Sequence, residues 1–278
     1  MPSLADAPVQ PRSLMPRVLW AIAIVATIGS AVYQRMTGPT YPVSGHVVLA
    51  GNSINYRLER SHETLSDQVV RIETPDTAVT GEMQWRRFPS AEPLRMLPLT
   101  RTSGALEGVL PRQRSGGKLE YQIRLVRGPE IVVIPPSAAV TRFKDPVALY
   151  VLIPHVFAMF MGMLWSTRAG LAAVTGGKTR ALTWTALALL VTGGFVLGPW
   201  MQYQAFGEWW TGVPFGFDLT DNKTLIAVAC WMFAAWRVKS GSPARLEVAL
   251  AALVTLVVFA IPHSVWGTQI NWEALPKQ

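Results

Sequence analysis

The sequence predicts a multi-domain membrane protein. An exported all-β domain of the immunoglobulin or fibronectin-III type, a sandwich, is inserted between one N-terminal transmembrane helix and a four-helix α transmembrane bundle. Three observations predict this. Half of the 278 residues are apolar and only 15% are charged, which is too apolar for an ordinary soluble chain. The apolar residues gather in one N-terminal span and in the C-terminal half. Between them, residues 41–144 are polar and alternate with the period of strands.

Residues 1–17 are Pro-rich and include Arg12 and Arg17, as expected of a cytoplasmic leader. The first transmembrane helix is expected over 18–36, where the apolar run Val18–Val32 ends at Tyr33-Gln34-Arg35. A signal peptide competes with this reading, because Gly29-Ser30-Ala31 has the small residues of a cleavage site. The retained anchor is preferred, and either reading exports the polar segment beyond it.

The β domain is expected over 41–144. Lys118–Leu125 alternates strictly, with Leu119, Tyr121, Ile123 and Leu125 on one face. Thr80–Phe88 places Met83 and Trp85 on one face and Glu82, Gln84 and Arg86 on the other. Further strands are expected at 45–50, 54–60, 69–74, 106–110, 131–134 and 138–143, separated by Gly, Pro, Asn and Asp turns. Seven to nine short strands in this length fit a sandwich. The chain has one cysteine, Cys230, in an apolar span. The paired cysteines of antibody domains are therefore missing, and the fibronectin-like variety is closer. His46 and His62 are expected as surface residues.

The four-helix transmembrane domain is expected over 146–264, with spans at 146–165, 181–200, 224–236 and 248–262. The third is short, and reaches spanning length if its helix begins near Thr220. The segments 166–180 and 237–247 hold six Lys or Arg against the single acid Glu247. The opposite stretch 201–222 holds three acids and no Lys or Arg. By the positive-inside rule the N-terminus and both basic segments are cytoplasmic. The β domain, the aromatic loop 201–222 and the tail 265–278 then face the periplasm of a bacterial inner membrane.

That loop is the centre of the functional reading. Trp200, Tyr203, Phe206, Trp209, Trp210, Phe215 and Phe217 stand among Gly and Pro, followed by Asp218, Thr220, Asp221 and Asn222. Seven aromatics exceed what an interfacial anchor needs. Trp209, Trp210, Phe215 and Phe217 are the expected partner-docking residues. In the run Asp218–Lys223, Thr220 or Asp221 is expected to cap the next helix. The sharper alternative is an oxygen-rich site for a hard divalent cation on Asp218, Asp221 and Asn222.

Two spans contain Ile-Pro-His, at Ile153-Pro154-His155 and Ile261-Pro262-His263. Ionisable residues inside a span are functional candidates. Haem ligation by the pair is disfavoured, since His155 lies about 13 Å into its span at ~1.5 Å per residue and His263 sits at an outer end. Hydrogen bonding to freed carbonyls or a neighbouring helix is preferred. His155, Glu208, Thr220, Lys223, His263 and Ser264 form the expected polar cluster, with Lys223 and His263 as partners of the aspartates.

The net charge of +8 comes without a Lys/Arg run or an RNA-binding signature, so nucleic acid is not an expected partner. Gly-x-Ser-x-Gly, His-Glu-x-x-His and P-loop patterns are absent from the sequence. The stretch Phe206–Thr224, with Leu152-Ile-Pro-His155 and Ile261-Pro-His-Ser264, resembles an uncharacterised family of bacterial inner-membrane proteins. The resemblance covers the β domain and the last four spans. It implies a bacterial envelope setting and no particular activity. The expected function is a non-enzymatic membrane subunit or assembly factor, with the lipid bilayer and other membrane or periplasmic subunits as partners. The rival is a membrane enzyme or transporter whose outward-facing His/Asp site handles a metal, a proton or a quinol.

Overall fold

Strict alternation decides the β half of the chain. In the computed structural model, which describes residues 15–262, 270 and 272, strand β9 (Lys118–Arg127) buries Leu119, Tyr121, Ile123 and Leu125 in one apolar core. Strand β5 (Thr80–Arg87) adds Met83 and Trp85 to that core and pairs antiparallel with β9. On the other side of β9 lies the long strand β10 (Glu130–Lys144), also antiparallel.

The strands expected separately at 131–134 and 138–143 are thus one strand. Its register shifts between Ile134 and Ala139, where Pro135 and Pro136 have no N–H to give the ladder. Three short strands escape the sequence reading: β3 (Ser61–Glu63), β6 (Arg95–Pro98) and β7 (Thr100–Thr102). Each is an edge strand, and at three or four residues none is long enough to show a period.

Three sheets share the core. The five-stranded sheet runs β3-β10-β9-β5-β6, with β3 parallel to the end of β10. A three-stranded sheet is formed by β4 (Gln68–Glu73), β8 (Ala105–Leu110) and β7, and a hairpin by β1 (Val43–Leu49) and β2 (Asn52–Leu58). Ile54, Leu58, Ile72, Leu106 and Leu110 from the two smaller sheets pack against the β9 face. His46 is exposed, whereas His62 is partly covered, edge-on to Phe143.

The helical half comprises α1 (Met15–Thr37), α2 (Leu149–Val174), α3 (Arg180–Val191), a π-helical turn Thr192–Leu197, α4 (Gly198–Phe206), α5 (Leu219–Lys239) and α6 (Arg245–Ala260). Three stretches are long and apolar enough to cross a membrane: Met15–Thr37, Leu149–Val174 and Arg180–Phe206. By that measure the described residues give three spans where five are expected. Helix α5 reaches 21 residues, beginning at Leu219, but carries charges at both ends, and α6 has 16 residues.

The helical core is shared by α2, α3, α5 and α6, with Leu190, Trp231 and Phe259 among its buried members. One buried polar pair inside it is satisfied, whereas the Ser166 and Thr183 hydroxyls are buried without a partner among the described residues. In that pair Trp231 Nε1 donates to Thr255 Oγ1 at 2.9 Å, and Thr255 Oγ1 donates to the Ala251 carbonyl at 2.8 Å, the usual state of buried polar groups. The span expected over 146–165 continues to Val174, so Arg168 lies within α2, with its guanidinium over the Trp20 ring.

Two differences from the expected boundaries shape the outer end. The loop expected over 201–222 is helical through Phe206 and again from Leu219, leaving 207–218 as the loop. Gly198-Pro199 does not end the helix, because Pro199 falls in the first turn of α4, where its missing N–H costs little.

Candidate functional site

The β domain is fastened to α4. The Ala205 carbonyl accepts from Asp145 N at 3.0 Å and from the Ser115 hydroxyl, and Ala148 N donates to Gln204 Oε1 at 2.9 Å. The Arg142 guanidinium lies over the Phe206 ring, 4.1 Å from its centre. These contacts place the end of β10 beside the end of α4 and the start of α2.

The loop after α4 is folded onto the first turn of α5. Asp218, not Thr220 or Asp221, is the cap: its carboxylate accepts from Thr220 N at 2.8 Å and Asp221 N at 3.4 Å. Asp221 instead reaches back across the loop. It accepts from Thr211 N at 2.6 Å, Thr211 Oγ1 at 3.1 Å and Gln202 Nε2 at 3.3 Å. Asn222 Oδ1 accepts from Val213 N at 2.8 Å. This fit needs Gly212, since a Cβ there would stand 2.7 Å from the Asp221 Cβ.

The oxygens of Asp218, Asp221 and Asn222 therefore serve amides on three different segments. Among the described residues no group of three His, Cys, Asp or Glu could hold a metal ion. The aromatics divide in two. Trp209 stacks on Tyr203 at 4.5 Å, and Trp210 stacks on Phe195 at 5.3 Å while its Nε1 donates to the Val213 carbonyl. Phe215 and Phe217 are 82% and 89% exposed.

Lys223, expected beside the aspartates, is turned the other way. At 2% exposure, its Nζ donates to the Ile261 carbonyl at 2.6 Å and also approaches Pro262 O at 3.5 Å. Gln34 of α1 donates to Phe259 O at 2.8 Å. A helix end leaves carbonyls without intrahelical partners, and a cation there is favoured by the helix dipole. Lys223 and Gln34 thus close the C-terminal end of α6. His263 and Ser264, and with them the expected partnership of His263 with the aspartates, lie outside the described residues.

His155 meets a carbonyl of the neighbouring helical segment, though not the one released by Pro154. Its Nδ1 lies 2.9 Å from the Gly193 carbonyl, at the π-helical turn, which also accepts from Gly198 N. Since a carbonyl only accepts, Nδ1 carries the proton, and in the neutral ring Nε2 is left as an acceptor. Gly194, next in the turn, has no room for a side chain: a Cβ would stand 2.3 Å from Thr224 Cγ2. Turns of this kind are frequent at functional sites.

A cavity of about 880 Å³ opens where these parts meet, within the size range of small-molecule sites. His155, Glu208, Asp218, Thr220 and Asp221 line it, whereas Asn222 and Lys223 do not. Sequence reasoning missed its basic wall, formed by Arg114, Arg142 and Lys144. Burial lowers the Arg142 pKa from the ordinary guanidinium value, with the Asp218 charge pulling the other way. Comparison with protein-family models, curated proteins and solved structures gives no match to this chain. The functional reading therefore rests on the cavity and the loop. No sequence pattern could have revealed the basic wall, because only the docking of β10 onto α4 brings it to His155.

Proposed function

We propose that the chain is a non-enzymatic bacterial inner-membrane subunit or assembly factor that docks a membrane-associated partner protein through its loop and β domain. One observation carries this reading. Phe215 and Phe217 are exposed at the tip of a loop whose backbone is held by Asp221, Asn222 and Asp218. Two large apolar side chains on a pre-ordered loop lose little further backbone entropy on binding. Aromatic anchors of this kind dominate interface energies.

In this reading the β domain is an immunoglobulin- or fibronectin-like sandwich and the helices form a four-helix bundle behind α1. Loop, β domain and C-terminal tail all lie on the periplasmic side. The distribution of Lys and Arg supports that topology. So does Trp272, whose ring lies beneath Arg87 and Arg114 and whose Nε1 donates to the Phe88 carbonyl. The resemblance of the Phe206–Thr224 stretch supports the bacterial setting.

The test is a photo-crosslinking amino acid at Phe217 in native membranes, with Trp184 on the lipid-exposed face of α3 as control. A discrete protein adduct specific to position 217, lost in Phe215→Ser, is expected. Adducts identical to those of the control position would overturn the proposal.

A further inference from the structure

The cavity joins two chemically different halves. Its lower wall is a single stripe of α2 at Leu152, His155, Val156, Met159, Phe160 and Met163. These positions recur at three- and four-residue spacing, on one helical face, and extend about 16 Å along the axis at ~1.5 Å per residue. Ala31 of α1 and Phe259 of α6 complete this apolar part. The upper wall is charged with both signs, Arg114, Arg142 and Lys144 against Glu208, Asp218 and Asp221.

Arg142 is the decisive member. Its Nε is buried without a hydrogen-bond partner among the described residues. The Phe206 ring occupies its face but cannot accept a hydrogen bond from its edge. A planar guanidinium edge is matched by two oxygens of a phosphate or carboxylate. An aqueous ion would leave the 16 Å stripe below without apolar contact, so the ligand must carry hydrocarbon as well as oxygens. The three carboxylates in the same wall disfavour a purely anionic head and favour one that also bears a cation.

We propose that this cavity binds a zwitterionic phospholipid, its phosphate at Arg142, its ammonium toward the carboxylate side and an acyl chain along the α2 stripe. The inference rests on α2 being a membrane span and not on the docking role of the loop. Lipid is then an integral part of the seam between β domain and helices. The phosphate supplies the hydrogen bond that Arg142 Nε lacks among the described residues.

The experiment uses the full chain in mild detergent, with native mass spectrometry after adding a zwitterionic amine phospholipid, an anionic glycerol phospholipid or inorganic phosphate. One retained zwitterionic lipid per chain is expected, at least tenfold preferred over the anionic lipid and not displaced by millimolar phosphate. Arg142→Gln and Met159→Trp, which fills the stripe, should each reduce retention at least tenfold while the thermal transition persists. Absence of a retained lipid on the wild-type chain would overturn the proposal. So would displacement by phosphate alone, equal retention of both lipids, or retention unchanged in both folded variants.

Discussion

The carboxylate of Asp221 accepts the backbone N–H of Thr211 at 2.6 Å, ten residues back in the chain. The first turn of α5 thereby holds the loop that leads into it. Because Asp221 is 6% exposed, its removal leaves the part-buried Thr211 N–H without its acceptor. Asp221→Ala should cost roughly 1–3 kcal/mol, and Asp218→Ala about 0.5–2 kcal/mol as a lost helix cap. Exposed Glu208→Ala should change stability little. Chemical denaturation in detergent measures the order. A Glu208 variant as damaged as the Asp221 variant would refute it.

Lys223 closes the C-terminal end of α6 through the Ile261 carbonyl. Lys223→Met keeps the buried stem and removes the donor, so it should cost roughly 1–3 kcal/mol. It should also speed amide exchange in the last turn of α6 more than in α3. Uniform acceleration across the helices would show that the cation has no local capping role.

Asp76 supplies a pH test within the β domain. Hydrogen bonds from Arg127 and from the Ala78 amide hold its carboxyl below the ordinary carboxylate pKa. A carboxyl depressed by folding contributes stability above its unfolded pKa of about 3.9 and loses it as pH falls through the lower folded value. The melting temperature of the wild type should therefore exceed that of Asp76→Asn at pH 6, with the gap closing below pH 3. A gap that widens toward acid would reverse the assigned sign.

Membrane sidedness can be read from cysteines placed at exposed positions. Ser53→Cys in the β domain and Phe217→Cys in the loop should react with an impermeant maleimide on intact cells. Thr175→Cys, in the turn after α2, should react only after permeabilisation. Cys230, partly covered inside α5, should react slowly in both conditions. Labelling at Thr175 from outside would invert the topology.

How much of the structure is legible in the chain depends on how local its cause is. The β9 face was legible because four buried residues alternate without interruption. Three of the five expected spans were legible as apolar runs, but their ends were not. Asp218 takes the cap because the loop's own hydrogen bonds bring it there, which favours it over Thr220 and Asp221 although all three types can cap. The Pro135-Pro136 pair looked like a strand break and proved to be a register shift within one strand. His155 was expected to bond a carbonyl freed by proline or a neighbouring helix, and its acceptor lies 38 residues away at a π-helical turn. Arg142, like Gln34, belongs to an element that meets the site only in three dimensions.

Helix α4 is nine residues long, about 13 Å at ~1.5 Å per residue, and both of its ends are tied. Its last turn holds the β domain through Ala205 and Phe206. Its first residue, Gly198, hangs from the Gly193 carbonyl that His155 also touches. A short rod fixed at both ends transmits load along its axis. Any tug exerted on the β domain therefore arrives, through one stiff strut, at the depth of His155.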